Sequence, residues 1–349
     1  MKGDLRAFSQ LKELLKNDNQ IENSCQVIRT CFSLFCKSIL TINTTIKMIK
    51  LEMPPFKEIL KDTGGNEQLL EELLIKLRLW LKQQIHLPED ISEKRLKFYI
   101  YSAKFNLEKV KKRLDLHYTL RNLIPEIFTT RDPLADRMLK INTYIQCVTL
   151  PILTPENYRI TMVRWLHSDS SVVDLYDVIK YYSMIMETRI EEDIVNSDVI
   201  IYDCTNLTFG HVLKYTPVAM KKLDIALESY GSRMKAIHVI NTPSFFDVLL
   251  KVVKSVMKAK LVNRIHLHIS GIESIYGIIP RSLLPVEYGG EQPSLNILSD
   301  MWKAKLIERR EWFLKEEKVK VNESLRSKSV INPEDLFGVS GTFRKLDID

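Results

Sequence analysis

Residues 196–217, NSDVIIYDCTNLTFGHVLKYTP, and residues 232–271, SRMKAIHVINTPSFFDVLLKVVKSVMKAKLVNRIHLHISG, decide the fold. Short β-branched runs at 199–202, 236–240 and 265–269 predict strands. Between them, helical periodicity covers 215–227 and 244–263. Upstream, 158–166 predicts a strand and 172–194 a helix. Strands alternating with helices imply parallel pairing through crossovers, in a sheet covered by helices. The fold class is therefore α/β.

Charge is concentrated in the same stretch. Between residues 230 and 264 stand Arg233, Lys235, Lys251, Lys254, Lys258, Lys260 and Arg264 against the single acid Asp247, while the whole chain carries only +7. Nearly all of the excess positive charge thus lies beside one apolar helix, which points to an anionic surface as its partner. In that helix Phe245, Leu249, Val252, Val253 and Val256 form an apolar stripe. Lys251, Lys254 and Lys258 form a basic one at i, i+3, i+7.

The N-terminal third reads differently. Residues 66–84 place leucines around an amphipathic helix, Asp90 and Ser92 can cap the next helix, and 105–123 puts Leu107, Val110, Leu114 and Tyr118 on one face. This predicts a small helical domain over 48–150, joined by an irregular link at 129–155 to an α/β domain over 151–312. Residues 1–47, interrupted by charges and poor as a membrane span or secretory signal, read as a loose extension, and 313–349 as a tail. Five scattered cysteines without paired spacing suit a reducing cytosol and indicate neither a disulfide framework nor zinc.

Glycine usage excludes the common α/β enzymes. Gly210 alone stands between Gly65 and Gly231, so neither a dinucleotide turn nor a phosphate loop can follow the first strands. No GxSxG elbow occurs. His266 and His268 share one strand face but lack a third ligand at regular spacing, so they read as structural, as do His211 and His238. The carboxylate pairs Glu191 with Glu192 and Asp174 with Asp177 fall on helix positions expected to be solvated. No catalytic constellation emerges.

The quoted stretches, with LLPVEYGG at 283–290 and LPEDISEKRLKFYIYSAKFNLEKVKKRLDLHYTLRNLIPEIF at 87–128, resemble the CRAL-TRIO lipid-binding family over roughly residues 72–312. The resemblance implies a cavity between sheet and helices closed by a mobile helix, here 244–263. It implies a carrier rather than an enzyme, needing no cofactor, whose partners are one hydrophobic lipid (tocopherol-like, retinoid or carotenoid), phosphatidylinositol bisphosphate and a membrane surface, with no nucleic acid. Transient attachment of a cytoplasmic protein to phosphoinositide-bearing membranes follows. The alternative is a membrane-trafficking adaptor for which phosphoinositide recognition is the function itself.

Carried over by motif, Arg233, Lys235, Lys260 and Arg264 are expected to hold the lipid phosphates. The expected cavity wall is Ile179, Tyr182, Ser183, Met186, Ile200, Tyr202, Leu207, Tyr215, Leu223, Leu227, Tyr230, Met234 and Ile237, with Phe245 and Leu249 from the door. Two departures from the family pattern stand out. Asn206 replaces a common glycine and is expected to tolerate a left-handed turn, and Gly231 replaces a usual proline and is expected to loosen the approach to Arg233.

Overall fold

Polar side chains start the first helices where the sequence places them. The computed structural model describes residues 48–269 and 271–326, all within one compact unit; residues 1–47 and 327–349, expected as extension and tail, lie outside the described residues. After α1 (Phe56–Asp62), the side chain of Asn66 accepts the Leu69 N–H at 2.9 Å and opens α2 (Glu67–Lys82). Ser92 does the same for α3 (Glu93–Ser102), and Asn106 for α4 (Leu107–Leu123). Two shorter helices follow, α5 (Pro125–Phe128) and α6 (Asp136–Tyr144).

The second half builds one five-stranded sheet. In chain order come β1 (Ile145–Leu153), β2 (Tyr158–Trp165), α7 (Leu175–Glu192), β3 (Ser197–Asp203), α8 (Phe209–Lys214), α9 (Pro217–Tyr230), β4 (Met234–Ile240), α10 (Phe246–Val256), α11 (Ala259–Val262) and β5 (Ile265–His268). The strands lie in the order β1-β2-β3-β4-β5. β1 pairs with β2 antiparallel, and every later pair is parallel. Right-handed crossovers that step in one direction across a sheet place their helices on one face. The opposite face receives the C-terminal segment, where Tyr288 donates to Asp203 at 2.8 Å and Trp302 of α12 (Leu295–Glu308) donates to the Thr149 carbonyl at 2.8 Å.

Four expectations change. The link expected to be irregular over 129–155 contains α6 and β1, so the boundary expected at 150 falls inside a strand. Residues Ile145–Leu150 are buried on both faces, which leaves no alternation to read, and Pro151 sits in a register shift between Thr149 and Leu153. The helix expected over 244–263 is broken: Met257 turns extended (ψ 153°) after α10, and the Lys258 side chain pairs with Glu228, so Lys258 does not continue the stripe of Lys251 and Lys254. The tail expected from 313 begins inside α13 (Arg310–Glu316), with Phe313 and Val321 buried. Asp177 is buried and accepts from Arg137 at 2.8 Å, and Glu191 accepts from Ser92 at 2.8 Å, so these carboxylates hold helices together rather than face solvent.

Glu187 of α7 joins the helical region to the sheet. Its carboxylate, fully buried, meets Arg131 at 2.8 Å, Arg121 at 3.5 Å and Arg95 at 3.9 Å, and accepts from the Tyr230 hydroxyl at 3.3 Å. Burial pushes the carboxyl pKa up, but the three guanidinium groups outweigh it and hold the group far below the usual carboxylate range. Arg121 and Arg95 also reach Glu316 of α13, at 2.9 and 2.5 Å. Removing one partner of such a set strands the others, at a cost of about 3–5 kcal/mol. Glu187→Gln is therefore expected to lower the melting temperature by about 10 °C in calorimetry. A fall below about 2 °C would show that the arginines satisfy one another without it.

Candidate functional site

Parallel pairing brings the N-terminal ends of β4 and β5 together, and with them the four cations singled out in the sequence. Arg233 is fixed by its carbonyl, which accepts from Asp198 N–H at 2.8 Å, and Arg264 by its carbonyl, which accepts from Ile237 N–H at 2.7 Å. Arg233, Lys235, Lys260 and Arg264 all line one groove of about 1120 Å³. The helical region supplies its far wall: Lys104, Lys109, Lys112 and Arg113 stand on α4 and the turn before it, and Lys258 enters at the helix break. Nine cations thus face four carboxylates, Asp62, Glu156, Asp224 and Glu228.

These cations crowd one another. Burial lowers the Lys109 pKa, and Arg113 and Lys260 lower it further; burial and nearby Arg264 act the same way on Arg233. The Arg233 Nη1 is buried with no partner. Lys235 lies over the Tyr158 ring at 5.4 Å. Crowded guanidinium and ammonium groups with an orphaned donor favour a polyanion, which relieves both penalties. Gly231 does not loosen this wall. It ends α9 in the left-handed conformation (φ 69°), and a Cβ there would stand 2.9 Å from Arg113 Nη1, so glycine lets Arg113 close on the groove. The α4 cations were missed because reading charge along 230–264 cannot find a wall more than 100 residues upstream; the run KVKKR at 109–113 was their signal.

A second feature lies between the sheet and its helices. On the sheet face toward α7–α10, Val163, Ile200, Tyr202, Ile237 and Ile265 are only half-buried, whereas Met162, Val199 and Ile201, pointing the other way, are buried. Central strands under helices ordinarily close on both faces. Tyr182, Tyr215, Leu223 and Phe245, also half-buried, pack with these residues, while Leu249 and Val253 of α10 cover them. Desolvation raises the phenol pKa of Tyr182, Tyr202 and Tyr215, so these rings sit deep in the protein and still keep open surface. Deep position with open surface makes this face a candidate hollow.

The other residues expected on this wall divide. Leu207 packs into the same core, and Ser183 and Met186 are buried on α7. Ile179 and Tyr230 belong instead to the core shared with the helical region. Leu227 and Met234 line the basic groove. Val163 and Trp165 were not foreseen, although their alternation along β2 puts them on the face of Ile200 and Tyr202.

A hydrogen-bonded chain runs at the C-terminal ends of the strands. Trp165 Nε1 donates to the Tyr202 hydroxyl at 2.6 Å, and the Tyr202 and Tyr215 hydroxyls share a bond of 2.7 Å. The indole is held by His211, at 4.5 Å between ring centroids, and its carbonyl accepts from Asn206 at 3.0 Å. Asn206 serves through that amide; it is not among the residues with positive φ, contrary to expectation. His211 has the structural role expected, accepting from Thr208 N–H at 3.1 Å in the cap of α8.

β4 and β5 also bring His238 beside His266 and His268, the third histidine that regular spacing did not reveal. His238 Nδ1 lies 2.9 Å from His268 Nε2, and its ring stacks on His266 at 5.4 Å. Burial and then the two neighbouring imidazoles push the His238 pKa down to about 4. Among the described residues no group of three or more side chains has the geometry to hold a metal ion.

Outside the hollow, Phe209 and Leu213 of α8 and Val248 of α10 are 47%, 64% and 41% exposed, an apolar patch beside exposed Lys251 and Lys254. Among the described residues no helix is long and apolar enough to cross a membrane.

A family model described as CRAL/TRIO domain matches residues 145–290, and one described as Pinta-like, UBA domain matches residues 66–138. Alpha-tocopherol transfer protein-like from Homo sapiens is 26% identical over 265 residues, covering 73% of this chain and 76% of that protein. Clavesin-2 from Rattus norvegicus is 31% identical over 128 residues, 36% of this chain and 39% of that one. The crystal structure of Sfh5 aligns with a TM-score of 0.44 at 10% identity, covering 76% of this chain and 99% of that chain. The family model spans all five strands and the motif LLPVEYGG, so residues 145–290 carry a CRAL/TRIO domain.

Proposed function

We propose that this protein is a carrier: it holds one hydrophobic lipid in the hollow beneath α10 and exchanges it at membranes whose phosphoinositide headgroups enter the basic groove. The observation that carries this reading is that one connection serves both features. α10 covers the half-buried sheet face, and its break at Met257 delivers Lys258 and Lys260 to the groove. An anion that rearranges those lysines acts on the end of the covering helix.

Magnitudes support a need for such coupling. Burying about 20 apolar carbons at roughly 0.8 kcal/mol each gives a gross driving force of about 16 kcal/mol, so loss into water is very slow. Cations near an anionic leaflet contribute about 1 kcal/mol each, so even four of them raise membrane occupancy roughly a thousandfold. Phosphates that bind the open state better than the closed one shift α10 toward opening. The exposed patch of Phe209, Leu213 and Val248 then meets the acyl region as the lysines meet the headgroups. The breadth of the groove favours a second reading, a phosphoinositide-recognising adaptor whose hollow holds a structural lipid. Mass spectrometry of lipid extracted from the purified protein separates the two: one defined hydrophobic ligand supports the carrier, mixed phospholipids the adaptor.

Two outcomes are expected. Arg233→Ala with Lys260→Ala leaves lipid loading intact but slows transfer to vesicles containing phosphatidylinositol bisphosphate about tenfold, as does Lys109→Ala with Arg113→Ala, and high salt mimics both. Equal transfer to vesicles with and without the phosphoinositide, by the unmutated protein, would exclude the coupling. Ile237→Trp is expected to cut bound lipid severalfold while costing about 1 kcal/mol or less, because a hollow accepts volume that a packed core rejects. Full lipid loading together with a large drop in melting temperature would make Ile237 core.

A further inference from the structure

The bonds among Trp165, Tyr202 and Tyr215 constrain what the hollow can hold. The indole N–H can only donate, and it points at the Tyr202 oxygen at 2.6 Å. The two phenols share one hydrogen bond at 2.7 Å. If Tyr202 donates to Tyr215, the Tyr215 proton is left over; if Tyr215 donates, the Tyr202 proton is left over. In either arrangement three protons serve two bonds, and one hydroxyl proton remains without an acceptor. Desolvation keeps both phenols protonated, so this proton is retained at neutral pH. Both rings keep open surface on the hollow, whereas Trp165 is only 2% exposed. The surplus donor therefore faces the space a lipid would fill.

We infer that the hollow selects a neutral lipid carrying an oxygen that accepts a hydrogen bond, such as a carbonyl, ether or hydroxyl, and that this oxygen sits at the Tyr202–Tyr215 end. An unpaired donor facing an apolar ligand carries a desolvation penalty, so a pure hydrocarbon is disfavoured. The placement also sets direction. Tyr202 and Trp165 stand at the C-terminal ends of β3 and β2, while the basic groove lies at the N-terminal ends of β4 and β5. The ligand's oxygen thus lies at the end of the sheet away from the headgroup site, with its apolar body over Ile200 and Ile237. Tyr182 takes no part in the bonds that join Trp165, Tyr202 and Tyr215.

The inference rests on the carrier reading, and one experiment separates their failures. Full-length protein is equilibrated with phosphatidylcholine vesicles containing 2-heptadecanone or heptadecane, a pair differing by one carbonyl oxygen, and uptake of each is measured. The unmutated protein is expected to favour the ketone over the hydrocarbon about fivefold more than the triple variant Trp165→Phe, Tyr202→Phe, Tyr215→Phe, which removes all three donors. Tyr182→Phe is expected to keep the preference. Equal uptake of both probes by the unmutated protein, or a preference that survives in the triple variant, overturns the inference while leaving the carrier intact. Uptake of neither probe overturns both.

Discussion

The buried carboxylate of Glu187 is the constraint on which the rest of the architecture depends. Three guanidinium groups from three separate segments converge on it, Arg95 from α3, Arg121 from α4 and Arg131 from the turn after α5. Tyr230 closes the set from the end of α9, and Tyr99 of α3 donates to the Ser229 carbonyl at 2.8 Å. Burying ions is costly, and such clusters persist when each member is needed to neutralise another. What the arrangement supplies is registration. It locks α3 and α4 against the end of α9, which places Arg113 against Gly231 and the α4 lysines opposite Arg233. The Glu187 cluster and the apolar core shared by α4 and α9 together hold the two walls of the groove in place.

Sheet order does the corresponding work for the hollow. With strands laid down in sequence and crossovers of one hand, α7 to α10 share one face, and their apolar sides must jointly cover it. Several bulky residues there stay half-buried, so the helices span the face without filling it. A packed core would place side chains at close-packed density. Space left over deep in the protein loses dispersion contacts, a cost that a bound apolar molecule would offset.

Much of this was legible in the sequence, for identifiable reasons. β2 to β5 announce themselves through alternation and β-branched content, and Asn66 and Ser92 announce helix starts through their capping chemistry. Arg233, Lys235, Lys260 and Arg264 were legible through motif and local charge, and Ile200, Tyr202 and Ile237 through motif alone. What escaped depends on contacts distant in sequence. β1 is buried on both sides and so has no pattern. His238 meets His268 only because β4 pairs with β5. Lys109 and Arg113 join the groove only through tertiary packing of α4 against α9. Helical periodicity continued through Met257, where pairing of Lys258 with Glu228 and its amide contact to Asp224 at 3.4 Å draw the chain out of the helix.

The groove's position explains why it needs so many cations. Ligands of parallel α/β sheets commonly bind at the C-terminal strand ends, where helix N-termini offer positive dipole ends. Here the groove lies at the N-terminal strand ends, and the helices that reach it include the C-terminal ends of α3, at Ser102, and α9, at Leu227 to Gly231. Each such end carries about half a negative charge, which would repel an anion. The first turn of α4, at Lys109, is the opposing N-terminal end and adds about half a positive charge, so side chains must supply most of the attraction. Nine cations against four carboxylates and two helix C-termini leave about four positive charges uncompensated. Two phosphomonoesters carry about three to four negative charges near neutral pH, which matches that surplus. A groove built mainly from side-chain charge is also readily screened, so its attraction for an anion weakens with ionic strength and can be tuned by single substitutions.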